Sequence, residues 1–312
     1  MMAPIPIILD CDPGHDDALA MALALARPEL RVEAITTVAG NAPLERTTLN
    51  ARRVLTLLDR TDVPVAAGAD RPLLREPWAP VSVHGVSGLD GADLPEPTVE
   101  TVRESAVELA VRIVRETDEP IRIVATGPLT NVGLMLRAVP SILPQIAGIW
   151  LMGGSIGEGN TTSRSEFNAW SDPEAAAIVF GSGIPIRMAG LNLTHQALVL
   201  PPDVARLRGL GNRAGAIFGD LMTFFGLHHK ERYGWDGPPI HDAVAVAWLV
   251  RPDLIDSKPM HVRVDLSDTD DRGRTIGTDV SSDSEPPNAH VGVTIDREAL
   301  IDLVVDAVAT YP

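Results

Sequence analysis

The stretch Ile7 to Ala20, IILDCDPGHDDALA, carries four aspartates within eight residues: Asp10, Asp12, Asp16 and Asp17. Asp10 and Asp12 close a strand-like apolar run, Pro13 and Gly14 break it, and Asp16 and Asp17 open a helix-like one. All four therefore sit at one junction. An aspartate in the first turn of a helix accepts backbone N–H bonds and suits the positive end of the helix dipole, worth ~0.3–1 kcal/mol. That role accounts for one or two of them. Four carboxylates packed together raise one another's pKa unless a cation neutralises them, so the cluster predicts a metal site. Cys11 alternates to the opposite face of the strand from Asp10 and Asp12, where its role is packing. The remaining donors are oxygens, which predicts a hard ion, Ca²⁺ or Mg²⁺.

An Asp-x-Asp after a first strand also suits a phosphatase of the haloacid dehalogenase type, with Asp10 as nucleophile and Asp12 as acid/base. Such an enzyme needs a lysine to hold the phosphate, and the only two lysines, Lys230 and Lys258, lie at no strand-to-helix junction. This reading is the runner-up. Three further junctions carry a different chemistry. IVATGPLTN ends a strand at Thr126 and turns at Gly127 and Pro128, leaving backbone carbonyls free to face the same crevice, although an ordinary turn would look the same. GGSIGEGNTTSRSEFNAWSDPEAA combines a glycine-rich turn with Asn160, Glu166 and Asn168. Its glycines do not spell G-x-G-x-x-G, and Glu166 would repel a pyrophosphate, so dinucleotide binding is disfavoured. Amides and a carboxylate without basic partners suit the hydroxyls of a neutral polyol. GPPIHDAVAVAW sets His241 and Asp242 at the start of an apolar helix, a pattern that a simple helix cap also produces. Acidic metal site, hydroxyl-binding groups and poised imidazole together describe a sugar-transforming hydrolase.

The elements that must position these groups are legible as alternation. Strand-like IPIILDC, RVEAITTVAG, VPVAAG, IRIVATG, IAGIWLMGG and IPIRMAGL alternate with helical patterns, which predicts roughly six βα repeats. The fold class that follows is α/β, an open, mostly parallel central sheet flanked by helices, with the chemistry beyond the carboxyl ends of the strands. After Pro201 helices dominate, followed by strand-like MHVRVDL, GRTIGTDV and AHVGVTI and a last helix REALIDLVVDAVA. The stretches Arg71 to Pro97 and Tyr233 to Pro239 are Pro- and Gly-rich loops of the kind that carry function. At 312 residues and 45% hydrophobic content, residues 1–312 are read as a single domain. A balance of 26 basic to 42 acidic residues, net −16, with no basic block, argues against nucleic acid as a partner. A single cysteine excludes an internal disulfide, and no run reaches the ~18 apolar residues of a membrane span. The expectation is a cytoplasmic protein without a membrane partner.

DCDPGHDD fits D-x-D-P-G-x-D-D, and ATGPLTN, MGGS, GN followed by EFN, DPEAA, HDA and the late PPNAHVGVTID follow in order. In these motifs, which span essentially the whole chain, the sequence resembles the inosine-uridine preferring nucleoside hydrolases. The resemblance implies the Rossmann-like fold of that family and a calcium-dependent cleavage of ribonucleosides to base and ribose. It implies a Ca²⁺ held by Asp12, Asp17, the Thr126 carbonyl and Asp242. Asp12 would then be the general base, Asp16 would bond the 2′-hydroxyl, and Asn160, Glu166 and Asn168 would hold the 3′- and 5′-hydroxyls. Asn41 matches a ribose-site position, and Asp10 would order the loop. His241 is the expected leaving-group acid, because an imidazole titrates near neutral pH. His84 matches a second histidine of the branch that takes inosine and pyrimidine nucleosides. In FFGLHHKERYGWDG, His228, His229, Tyr233 and Trp235 either line the base pocket or are solvated; Tyr233 is taken as substrate-binding and His228 as solvated. The choice among uridine, cytidine and inosine stays open, as does a nucleoside-binding or sensing protein without turnover. Family members imply a homodimer or homotetramer.

Overall fold

The computed structural model describes residues 3–79, 81–280 and 285–312. Pro80, within the loop expected at Arg71 to Pro97, lies outside the described residues. Nine strands form one sheet: β1 (Ile5–Cys11), β2 (Leu30–Thr37), β3 (Val65–Ala67), β4 (Ile121–Ala125), β5 (Ile146–Met152), β6 (Ile186–Ala189), β7 (Ile255–Val264), β8 (Thr275–Asp279) and β9 (Ala289–Ile295). Their order is β3-β2-β1-β4-β5-β6-β9-β7-β8. Pairs from β3 through β9 are parallel, while β7 runs antiparallel to both β9 and β8, so the sheet is mostly parallel and open, as the alternation predicts.

Parallel neighbours need crossovers, and the helices that supply them cover both faces. Ile7, Leu9 and Cys11 of β1 enter one core with Leu19, Leu23, Val246 and Leu300, while Ile8 enters the other with Leu109, Val114 and Met135. Two-sided burial is why the run before Asp10 is continuously apolar. The helix His15–Ala26 is buried from His15 to Leu25 and packs against the helices His241–Val250 and Arg297–Val308. An apolar surface all round is the mark of such an enclosed helix.

β1 and β4 are neighbours although β2 and β3 lie on the far side of β1, which makes their carboxyl ends the switch point where an open sheet leaves a crevice. Asp12 follows β1 and Thr126 follows β4, where the Thr126 amide donates to the Asp10 carbonyl at 2.8 Å. The strand expected from Met260 begins at Ile255, because pairing with β9 draws in Asp256, Ser257 and Lys258, which carry no strand signal of their own. The long helix Arg213–Tyr233 ends at Gly234, whose φ of 70° is the left-handed turn glycine supplies without strain. Among the described residues no helix is long and apolar enough to cross a membrane.

Candidate active site

The aspartates diverge once folded. Asp10 turns away from the crevice, accepting from the Thr36 hydroxyl at 2.6 Å and the Asn131 amide at 2.8 Å. Asn131 also donates to the Thr37 carbonyl and accepts from the Ala69 amide, so Asp10 ties strand ends together. Its position excludes the phosphatase reading, in which it must meet substrate. Asp12 has its carboxylate between Gly40 and Gly127, where an added Cβ would come within 2.0 and 2.7 Å of its oxygens, and its Oδ2 accepts from the Asn41 amide at 2.7 Å. Asp17 accepts from the Gly14 amide at 3.0 Å, the Asn41 side chain at 3.2 Å and the Thr126 hydroxyl at 2.8 Å. Capping thus explains one oxygen of the cluster.

Asp16 and Asp17 open one helix and Asp242 opens another, and these three offer oxygens that all lie within 4.8 Å of one another. The set expected from the sequence was Asp12, Asp17, Thr126 and Asp242. Asp16 meets Asp17 and Asp242 by facing Asp242 from the neighbouring helix, while one oxygen of Asp12 accepts from the Asn41 amide. The Thr126 carbonyl accepts from the Asn168 side chain at 2.7 Å, which occupies one of its two lone pairs. Burial pushes the Asp12 carboxyl well up, and the charge of Asp17 adds to it. Burial likewise raises Asp16 to about 7 and Asp242 well above the carboxylate range, each helped by its acidic neighbours. The charges acting on these groups are other carboxylates. A buried oxygen-only cluster without a cationic side chain fits a hard divalent ion.

Beside this floor, Glu166 accepts from the amides of Gly154, Asn168 and Ala169 at 2.7, 2.8 and 3.0 Å, yet burial still raises it to about 7. Asn160 accepts from the Phe167 amide through its side chain and from Arg232 through its carbonyl. Asp16, Asn41, His84, Thr126, Asn160, Glu166, Asn168, Tyr233, His241 and Asp242 line one cleft, and Asp12 and Asp17 lie directly behind it.

The opposite wall is made of rings. His241 is half-buried, with Nδ1 2.7 Å from the Thr194 hydroxyl. Burial pushes its imidazole well below the usual range. His84 is buried against Phe225, and burial lowers its pKa as well. His228, expected to be solvated, lines the cleft with His229, Arg232 and Tyr233, because residues three and four apart on the helix Arg213–Tyr233 share a face. Trp235 stacks behind Tyr233 at 4.6 Å. Sequence reasoning missed Thr194 and His15. Thr194 stands just beyond the carboxyl end of β6, where the strand-end rule directs attention, whereas His15 lies inside the acidic motif, masked by its neighbours.

The model of the inosine-uridine preferring nucleoside hydrolase family matches residues 7–302. The chain is 47% identical over 308 residues to the pyrimidine-specific ribonucleoside hydrolase RihA of Enterobacter sp. (strain 638), covering 98% of both. It is 48% identical to the protein of the same name from Escherichia coli (strain K12), covering 98% of this chain and 99% of that one. A purine-preferring ribonucleoside hydrolase from Gardnerella vaginalis superposes with a TM-score of 0.92 at 30% identity, covering 98% of each chain. With this match running from the first strand to the last helix, the chain belongs to the inosine-uridine preferring nucleoside hydrolase family and is a ribonucleoside N-glycosyl hydrolase.

Proposed function

We propose that this enzyme hydrolyses pyrimidine ribonucleosides, uridine and cytidine, to free base and ribose in a calcium-dependent reaction. The observation that carries the reading is the pairing of a buried carboxylate floor with a wall of imidazoles in one cleft. Cleaving an N-glycosidic bond builds positive charge on the ribose ring, and an acidic floor stabilises that charge more than it stabilises the neutral substrate. The pyrimidine preference rests on the relatives at 47% and 48% identity, which weigh more than the purine-preferring structure at 30%.

Asp12, Asp16, Asp17 and Asp242, with the Thr126 carbonyl, are the groups that would hold Ca²⁺. The ion would supply the charge that keeps these carboxylates ionised and makes the attacking water more acidic. Asp12 takes the proton from that water. Asp16 bonds the ribose 2′-hydroxyl, while Asn41, Asn160, Glu166 and Asn168 hold the 3′- and 5′-hydroxyls. His241 passes an Nε2 proton to the departing base from its imidazolium form and is left as neutral imidazole; its lowered pKa makes that form scarcer but a stronger acid. His84 and Tyr233 face the base. Residues 1–312 act as one domain, a homodimer or homotetramer in the cytoplasm. Family resemblance supports the oligomer, and the lone buried Cys11 supports a reducing compartment.

Ribose release from uridine, cytidine and inosine, measured before chelation, after it and after Ca²⁺ is restored, tests the reading. Loss on chelation, recovery with Ca²⁺ and faster turnover of the pyrimidines are expected. Full activity in protein shown by elemental analysis to be metal-free would remove calcium from the reaction, and preference for inosine would reverse the substrate assignment.

A further inference from the structure

We propose that His15 is a positioning residue that fixes the tautomer of His84, so that His84 presents a bare Nε2 lone pair to the cleft and accepts a hydrogen bond from an N–H on the base. The identity of that ligand as a nucleobase rests on the proposed function; the tautomer does not.

The inference starts at a carbonyl. His15 Nε2 lies 2.8 Å from the Asp90 carbonyl oxygen, which can only accept, so Nε2 carries the hydrogen. That carbonyl is itself held in place, because the Asp90 carboxylate gathers the amides of Val86 and Ser87 and the Ser87 hydroxyl into a tight loop. His15 is fully buried between Phe224, Phe225 and His84, and neither ring nitrogen bonds a carboxylate. A neutral ring with hydrogen on Nε2 has a bare Nδ1. His84 Nδ1 lies 3.0 Å from that atom, and two bare nitrogens at this distance would repel. The hydrogen on His84 therefore sits on Nδ1, donating to His15, and Nε2 is left bare.

The His15 amide also comes within 3.4 Å of His84 Nδ1, but that separation is at the outer limit of a hydrogen bond and is outweighed by the 3.0 Å contact. Gly14 makes the arrangement possible: a Cβ there would come within 2.7 Å of His84 Nδ1 and 2.8 Å of Cε1. His84 lines the cleft, and its Nε2 has no partner among the described residues. In uracil the single ring N–H left after glycosylation is N3–H, which is the complement of such an acceptor. His241 is arranged differently, with a hydroxyl rather than a ring behind Nδ1, so the two cleft imidazoles need not share a tautomer.

The test uses the full-length protein labelled with ¹⁵N-histidine and free of substrate, with His84 assigned by loss of its signals in His84→Gln. Long-range ¹H–¹⁵N correlation should show His84 protonated at Nδ1, and protonation at Nε2 overturns the proposal. In kinetics, His15→Phe removes the acceptor, whereas His15→Asn keeps an amide oxygen near the place of Nδ1. His15→Phe should lower kcat/KM on uridine roughly tenfold, the worth of one hydrogen bond. His15→Asn should recover most of that loss, and 3-methyluridine, which lacks the N–H, should barely distinguish the variants. Equal losses in both variants and on both substrates would make His15 a packing residue and overturn the proposal. Should His15→Phe fail to fold, His15→Gln, which retains the contact to Asp90 without an acceptor at Nδ1, carries the same expectation. No ribose release by the parent protein would sink the proposed reaction, yet the spectrum would still decide the tautomer.

Discussion

The floor and the ring-lined wall of the cleft are built in opposite ways. On the floor, Asp12, Asp17, Glu166 and Asn168 stand at strand ends and helix starts, and each is tied to backbone amides or carbonyls at 2.7 to 3.3 Å. The wall draws Arg232 and Tyr233 from the last turn of a long helix, where both are exposed, together with His84 from the end of the one-turn helix Val81–His84 between two loops. Groups that must hold fixed geometry toward a reacting sugar are placed on rigid elements. Groups that meet the variable part of a substrate are placed where a residue can change without disturbing the sheet. One family can therefore include members named for purines and members named for pyrimidines on one scaffold.

If the floor reads ribose and the wall reads the base, breaking the floor should cost most. The largest effect is expected for 2′-deoxyuridine, which leaves Asp16 and the ion without their hydroxyl; sites built to bond a hydroxyl reject such analogues by up to ~10⁴–10⁵ in kcat/KM. Comparable rates on uridine and deoxyuridine would show that the floor does not read the 2′ position. Asp12→Asn comes next, with a loss of ~10²–10⁴ in kcat at saturating Ca²⁺, the usual worth of a general base. Calcium content is measured in the variant, because Asp12 is also among the groups that would hold the ion. Near-normal turnover in that variant would move the base to another carboxylate.

Stability sharpens the contrast, since the buried carboxylates and the imidazoles of the wall, whose pKa burial lowers, respond to pH with opposite sign. Burial raises Asp10 to about 6 and Glu166 to about 7, so the folded chain binds more protons than the unfolded one between about pH 4 and pH 7. Stability from these groups is full below the unfolded pKa and is lost as pH rises through the folded one, on the order of a few kcal/mol together. Because His15, His84, His229 and His241, all lowered by burial, act in the opposite direction, the carboxylate contribution is read as a difference. The melting temperature of metal-free parent relative to Glu166→Gln should be higher at pH 5 than at pH 8, since only the parent loses the stability of a raised Glu166 as pH climbs. A parent-minus-variant difference that grows from pH 5 to pH 8 would contradict the raised Glu166.

On the wall, Thr194→Val deletes the hydroxyl behind His241 and is expected to cost roughly tenfold in kcat on uridine, one hydrogen bond's worth, with Thr194→Ser recovering it. The loss should vanish on p-nitrophenyl riboside, whose leaving group departs without a proton. Equal losses on both substrates would assign Thr194 to packing.

The local pattern already determined much of this molecule. A continuous apolar run before Asp10, the Pro13–Gly14 break and the periodic stretches between strands encode a two-sided parallel sheet, because burial on both faces leaves a strand no polar residues. Strand-end placement then identified Asp12, Asp16, Asp17, Thr126, Asn160, Glu166, Asn168, His241 and Asp242 as candidates, and the fold draws these segments to one crevice. What tertiary structure alone decided is direction and partnership. That Asp10 faces Thr36 and Asn131, that Asp16 rather than Asp12 converges with Asp17 and Asp242, and that His228 faces the cleft depend on which helix lies opposite. So do the contacts of Thr194 with His241 and of His15 with His84, which join residues 47 and 69 positions apart. A sequence records which groups a residue offers, whereas its protonation and orientation are set by neighbours brought from far along the chain, whose distances only packing fixes.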